Sequence, residues 1–166
     1  MGEGPGASKE LKGVAGSGVK GSGGMAEAVK QTAGAIGYLD FGRASHDKLA
    51  ISQLPNRLGV FLKVSTEAIQ AAAKFDAERV LYTGDPDFYL VLANNDTYAG
   101  WPLATATFVL VPKNARDPQK LLDFLYWGYK NGDGVSRELG YVPLTDTMKI
   151  GVRKAWSRQY NYKAGM

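Results

Sequence analysis

The 166 residues contain no cysteine and a single histidine. The first absence removes disulfide scaffolds, thiolate nucleophiles and thiolate zinc sites, and the second leaves His46 without the partners of a common metal set. No apolar run approaches the roughly 20 residues that span a bilayer. The opening MGEGPGASKE also lacks the apolar core of a signal peptide, so an exported form would have lost its signal or carry it on another chain. Blocks of like charge are missing too: Lys and Arg total 20 against 16 for Asp and Glu, and the basic residues are scattered. Such a weakly positive chain draws anions by long-range attraction. Nucleic acid is not an expected partner, because the clustered cations with interleaved aromatics that it requires do not occur.

What is present is an ordinary globular composition, 45% hydrophobic and 22% charged, sufficient for one cored domain or two small lobes. The beginning departs from it. Nine of the first 24 residues are Gly, and residues 1–19 read as a Gly-rich arm or linker. Met25, Ala28, Val29 and Thr32 then recur at helical spacing, which predicts a helix starting near Gly24 and stopping at Gly34. AIGYLDF, 35–41, reads as a buried strand, 42–48 as a turn or helical turn, and LAISQL, 49–54, as a second strand ended by Pro55. Ser65 is placed to cap a helix over 66–74, with Glu67 favourably near its amino end.

Between Arg79 and Tyr98 the pattern is weak, with a turn signal at 85–87 and a candidate strand at 88–93. ATATFVLVP, 104–112, is the clearest strand, β-branched and aromatic and closed by Pro112. Asp117-Pro118 starts a helix running to Lys130, because the carboxylate can accept a free N–H while Pro has none to waste. A short helix over 134–139 ends at Gly140, and Thr145 caps a last one with Met148, Val152 and Trp156 on one stripe. Mixed helix and strand in this order indicate an α/β class.

Several motifs invite a chemical reading. Gly16-Ser17-Gly18-Val19-Lys20-Gly21 has G-x-G-x-x-G spacing with Asp40 downstream, but LKGVA before it is too short and polar for the strand a dinucleotide site requires. A P-loop fails outright, since Gly21 is followed by Ser22 and not by Lys. What survives is an anion at the helix start, on the backbone N–H groups of Ser22, Gly23 and Gly24 with Lys20 beside them. A tight turn into a helix explains the same residues. Ser45, His46 and Asp47 are sequence neighbours and cannot face one another as a triad. Asp85, Asp87, Asn94, Asn95 and Asp96 lack EF-hand order and read as turns. The aromatics Tyr126, Trp127, Tyr129, Tyr141, Trp156, Tyr160 and Tyr162 stand beside leucines at helical spacing and read as core rather than as a stacking platform. No catalytic residue, metal site or cofactor is expected, and the polar groups of an enzyme do not cluster.

Five blocks in series carry a resemblance: GSGVKGSGGMAEAVKQTAGAIGYLDFGRA at 16–44, LAISQL at 49–54, WPLATATFVLVPK at 101–113, LLDFLYWGYKNGDGVSRELGYVPLTDTM at 121–148, and the stretch 152–156. In order and spacing they resemble the PstS-type phosphate-binding proteins of ABC importers, although that family usually has Asn where this chain has Ser22. The resemblance implies a periplasmic-binding-protein-like fold of type II, here incomplete: residues 20–100 would be the later part of the second lobe and 101–166 the returning part of the first. It also implies a phosphate-binding component of an ABC-type uptake system, periplasmic or otherwise extracytoplasmic, with inorganic phosphate as ligand and an ABC permease as partner. The family's phosphate-holding motifs lie earlier in its sequence and none is present, so no ligand residue carries over. A companion polypeptide, a second copy in a homo-oligomer or a rearranged core would have to make up the missing half. The alternative is a non-binding structural or accessory subunit that retains the fold.

Overall fold

The structure, a computed structural model, describes residues 15–83 and 91–163, with the backbone alone over 75–83. The expected arm over 1–14, the turn at 85–87 and the first half of the 88–93 strand lie outside the described residues.

Helix α1 covers Gly21–Gln31, three residues earlier than the expected start at Gly24; it buries Ala26 and packs on helix α2, Phe41–His46. Asp40 starts α2 by accepting a 2.7 Å hydrogen bond from the Arg43 N–H. Strands β1, Leu54–Pro55, and β2, Phe61–Leu62, pair antiparallel with Leu54 opposite Leu62. Asn56 fixes the loop between them. Its Oδ1 accepts from the N–H groups of Leu58 (3.0 Å) and Val60 (2.9 Å), and its Nδ2 donates to the carbonyls of Thr97 (3.1 Å) and Tyr98 (2.7 Å). A buried amide satisfied at both ends stitches the hairpin to a loop some forty residues later.

Helix α3, Thr66–Thr83, outruns the expected 66–74 because no Gly or Pro stands within it. Ser65 starts it as expected, its Oγ accepting from the Ala68 N–H at 3.1 Å. The remaining helices follow the sequence closely. Helix α4, Pro118–Asn131, is capped by Asp117 and helix α6, Asp146–Tyr160, by Thr145, while the short α5, Asp133–Glu138, ends before Gly140 at φ +81°.

Two apolar clusters hold these helices together. In the first, Ala72, Ala73, Leu92, Ala104 and Met148 join α3 to α6, and the Gln70 amide adds a 3.0 Å hydrogen bond to the Pro143 carbonyl. In the second, Leu122, Trp156 and Tyr162 join α4 to α6, with Tyr129 stacked on Trp156 at 5.5 Å and Tyr162 edge-on to it at 5.7 Å. Trp127 and Tyr141 depart from the expected core role and lie 62% and 66% exposed.

The expected strands are where the structure differs most. Residues 35–40, 49–53 and 104–112 carry no strand pairing among the described residues, apart from Leu54 at the end of the second. The β-rich composition is correct, but a strand exists only where a neighbour supplies the ladder. Without one, Ile36, Tyr38, Val109 and Leu110 stand largely in solvent.

Candidate anion-binding region

Lys20 precedes α1 in extended backbone with no side-chain cap, and Gly21 at φ +67° turns the chain into the helix. The first N–H groups of the helix therefore have no intrahelical acceptor, which is the physical basis of an anion site. The Ser22 hydroxyl is already engaged. It donates to the Asp40 carboxylate, and together with the Arg43 backbone N–H it lowers the Asp40 pKa from its ordinary value. Asp40 thus stands at the start of two helices at once.

Beside it, the Arg43 guanidinium Nη1 lies 4.0 Å from where a Cβ on Gly23 would stand. Its Nε makes a 2.6 Å contact with Asp47. Asp47, its side chain 8% exposed, also meets Lys30 at 3.6 Å and His46 Nδ1 at 3.0 Å. The hydrogen bonds from His46 first, then from Arg43, lower its pKa to about 2. This cluster ties the carboxy-terminal turn of α1 to α2. Ser22, Gly23 and Arg43 are brought together, while Lys20 remains exposed. Sequence reading missed Arg43; the available signal was Asp40, an N-cap residue immediately before a helical turn, which fixes the face on which a residue three positions later lies.

The other motifs resolve as turn and surface chemistry. The His46 side chain is 81% exposed and, among the described residues, pairs with its neighbour Asp47 alone. Asn94 has φ +50°, Asn95 donates to the Ala72 carbonyl at 2.6 Å, and Asp96 pairs with Arg57 at 3.2 Å, so these oxygens do not converge. Asp85 and Asp87 lie outside the described residues. Among the described residues, no helix is long and apolar enough to cross a membrane.

No protein-family model matches the chain. Its sequence is 32% identical over 148 residues to the phosphate-binding protein PstS of Xylella fastidiosa (strain Temecula1), covering 87% of this chain and 40% of that protein. The PstS proteins of Pasteurella multocida (30% over 163 residues) and Haemophilus influenzae (29% over 157) cover 96% and 93% of this chain, and 46% of their own lengths. By sequence the chain is similar, over most of its own length, to phosphate-binding proteins named PstS, and it spans less than half the length of the curated relatives it matches.

Proposed function

We propose that this chain is the carboxy-terminal portion of a phosphate-binding component of an ABC-type uptake system, working outside the cytoplasm with an ABC permease as partner. The observation that carries the reading is similarity over 87–96% of the chain to proteins named for binding phosphate. Its fold is a type II periplasmic-binding-protein fold in part, with 20–100 contributing to one lobe and 101–166 to the other. The relatives are named as binding proteins, which favours a non-enzyme and does not favour the accessory-subunit alternative.

The start of α1 is this chain's contribution to the anion site. The N–H groups of Gly23 and Gly24, with Lys20 and the Arg43 guanidinium nearby, supply positive potential. Ser22 joins them only if it leaves Asp40, whose negative charge otherwise opposes an anion there. The remaining ligands come from a complementing polypeptide that holds the rest of the fold. Equilibrium dialysis of inorganic phosphate against the chain co-produced with such a polypeptide tests the reading. Stoichiometric retention by the pair, and not by the chain alone, is expected; a pair that retains none overturns it.

A further inference from the structure

We propose that the outer side of helix α6, with the end of α4 beside it, is a cationic surface by which the chain lies against a bilayer of anionic phospholipid. The inference goes beyond the phosphate reading and does not depend on it.

Residues 147–163 hold five Lys or Arg and no Asp or Glu. The fold decides which of these cations remain available. Met148, Gly151, Ala155 and Trp156 form the buried side of α6, which packs on α3 and α4. Lys149 borders that side and is engaged within the chain: its side chain is 12% exposed, and its Nζ donates to both oxygens of Asp133 at 2.6 and 2.7 Å. Lys154, Ser157 and Arg158 stand outside it in solvent, and Lys163 follows, exposed as well. Among the described residues, Arg153, Lys154, Arg158 and Lys163 pair with no carboxylate.

Lys130 is far from these residues in sequence, and the fold brings it to them. Arg153 lies over the Tyr126 ring at 5.1 Å from its centre, and Lys130 over the same ring at 5.7 Å. The neighbouring carboxylates do little to neutralise the group. Asp133 is held by Lys149, and Asp123 accepts from the Tyr162 hydroxyl at 2.9 Å. Asp146 stands in the first turn of α6, about 18 Å from Arg158 by the helical rise and beyond the ~8 Å screening length of physiological salt. The helix dipole gives Lys130 and Arg158, each in a last turn, a use of their own, and gives none to Arg153, Lys154 or Lys163.

The shape of this surface decides its occupant. It is the convex side of a helix, and between 153 and 158 the large apolar residue, Trp156, faces inward. An acidic protein requires an apolar centre to its contact. A nucleic acid requires rings open for stacking, whereas the Tyr126 ring carries two cations. A layer of anionic headgroups requires neither. Each Lys or Arg close to such a layer strengthens binding about fivefold, and a cluster of roughly four to eight on an amphipathic helix is the usual size. Lys130, Arg153, Lys154, Arg158 and Lys163 make a cluster of that order.

Co-sedimentation of the full 166-residue chain with lipid vesicles tests the proposal. The chain should bind vesicles of equal parts phosphatidylglycerol and phosphatidylcholine and not vesicles of phosphatidylcholine alone. Its partition coefficient should fall at least about tenfold as salt rises from about 50 to about 500 mM. Lys154→Gln with Arg158→Gln, both at exposed positions, should lower it at least about tenfold at the lower salt and leave the circular dichroism unchanged. Lys48→Gln with Lys63→Gln, exposed and outside α4 and α6, removes the same net charge and should lower it less than about threefold. Equal binding to neutral vesicles, no binding to either kind, or equal losses in the two variant pairs overturns the inference. So does release by inorganic phosphate at constant ionic strength, which marks a site for one small anion, or tighter binding to polyuridylate than to the anionic vesicles, which marks a nucleic-acid surface.

Discussion

Leu122 and Ile36 are both aliphatic residues in segments of strong pattern, yet Leu122 is fully buried and Ile36 is 97% exposed. The difference lies in what each segment needs from the rest of the chain. Helix α4 satisfies its own backbone hydrogen bonds and has only to lay one stripe on α6, which follows within thirty residues. Among the described residues, the backbone groups of 36–39 have no such partner, because an extended segment needs a neighbouring strand to supply one. A region built of helices can therefore close with what this chain holds, while a region built of strands stays open until its neighbours arrive.

The largest effect that sharpens this contrast is expected from truncating its two ends alike. Leu122→Ala empties a site in the carboxy-terminal cluster and should lower unfolding free energy by about 2–5 kcal/mol in urea denaturation. Ile36→Ala in the same isolated chain should change it by less than about 0.5 kcal/mol. Equal losses at both sites would mean that the 35–40 segment is already packed.

A second effect probes the seam between the two regions. A Cβ on Gly42 would overlap the backbone of Gly140, so Gly42→Ala forces α2 away from the turn after α5. A loss of about 1–3 kcal/mol by the same measurement is expected, with Lys154→Ala, at an exposed position of α6, as a reference near zero.

Smaller again is the cap of the last helix. Thr145 Oγ1 accepts from the Met148 N–H at 3.4 Å, and Thr145→Ala should cost about 1 kcal/mol and lower helicity at the start of α6. Its effect should stay within the carboxy-terminal helices and leave 35–62 unchanged by hydrogen exchange.

The smallest effect is the acid response of the α1–α2 pair. The Asp47 pKa is about 2 in the folded chain against an ordinary 3.8. Because folding favours the charged form, the contribution is present above the ordinary value and is lost as the pH falls toward about 2. Thermal unfolding followed from pH 5 to 2 should show this slope, and Asp47→Asn should flatten it. An unchanged slope would mean that Lys30, Arg43 and His46 do not hold the carboxylate in solution.

Much of the helical framework was legible beforehand. Asp117, Ser65 and Thr145 are caps because a short polar side chain reaches back to a free N–H within three residues, and all three do so here. The end of α3 was missed although Gly84 and Pro86 follow Thr83 directly and are the ordinary stop signal, because the expected end at 74 followed the apolar spacing and not the breakers. Asn56 escaped as well: its partners, Thr97 and Tyr98, lie about forty residues away, and nothing local marks them. In the candidate site, Lys20, Ser22, Gly23 and Gly24 could be read as a helix start, but the juxtaposition of Ser22 with Asp40 and of Gly23 with Arg43 could not.

The sequence by itself determined where helices begin, which segments favour an extended backbone and which proteins the chain resembles, because these rest on contacts within a few residues or on the residue order itself. Only the tertiary structure decided which extended segments become strands and which apolar faces are covered, because a β-ladder and a packed face each require a second surface. For residues 36–39 that second surface is absent among the described residues, and the same amino acids that predict burial stand exposed.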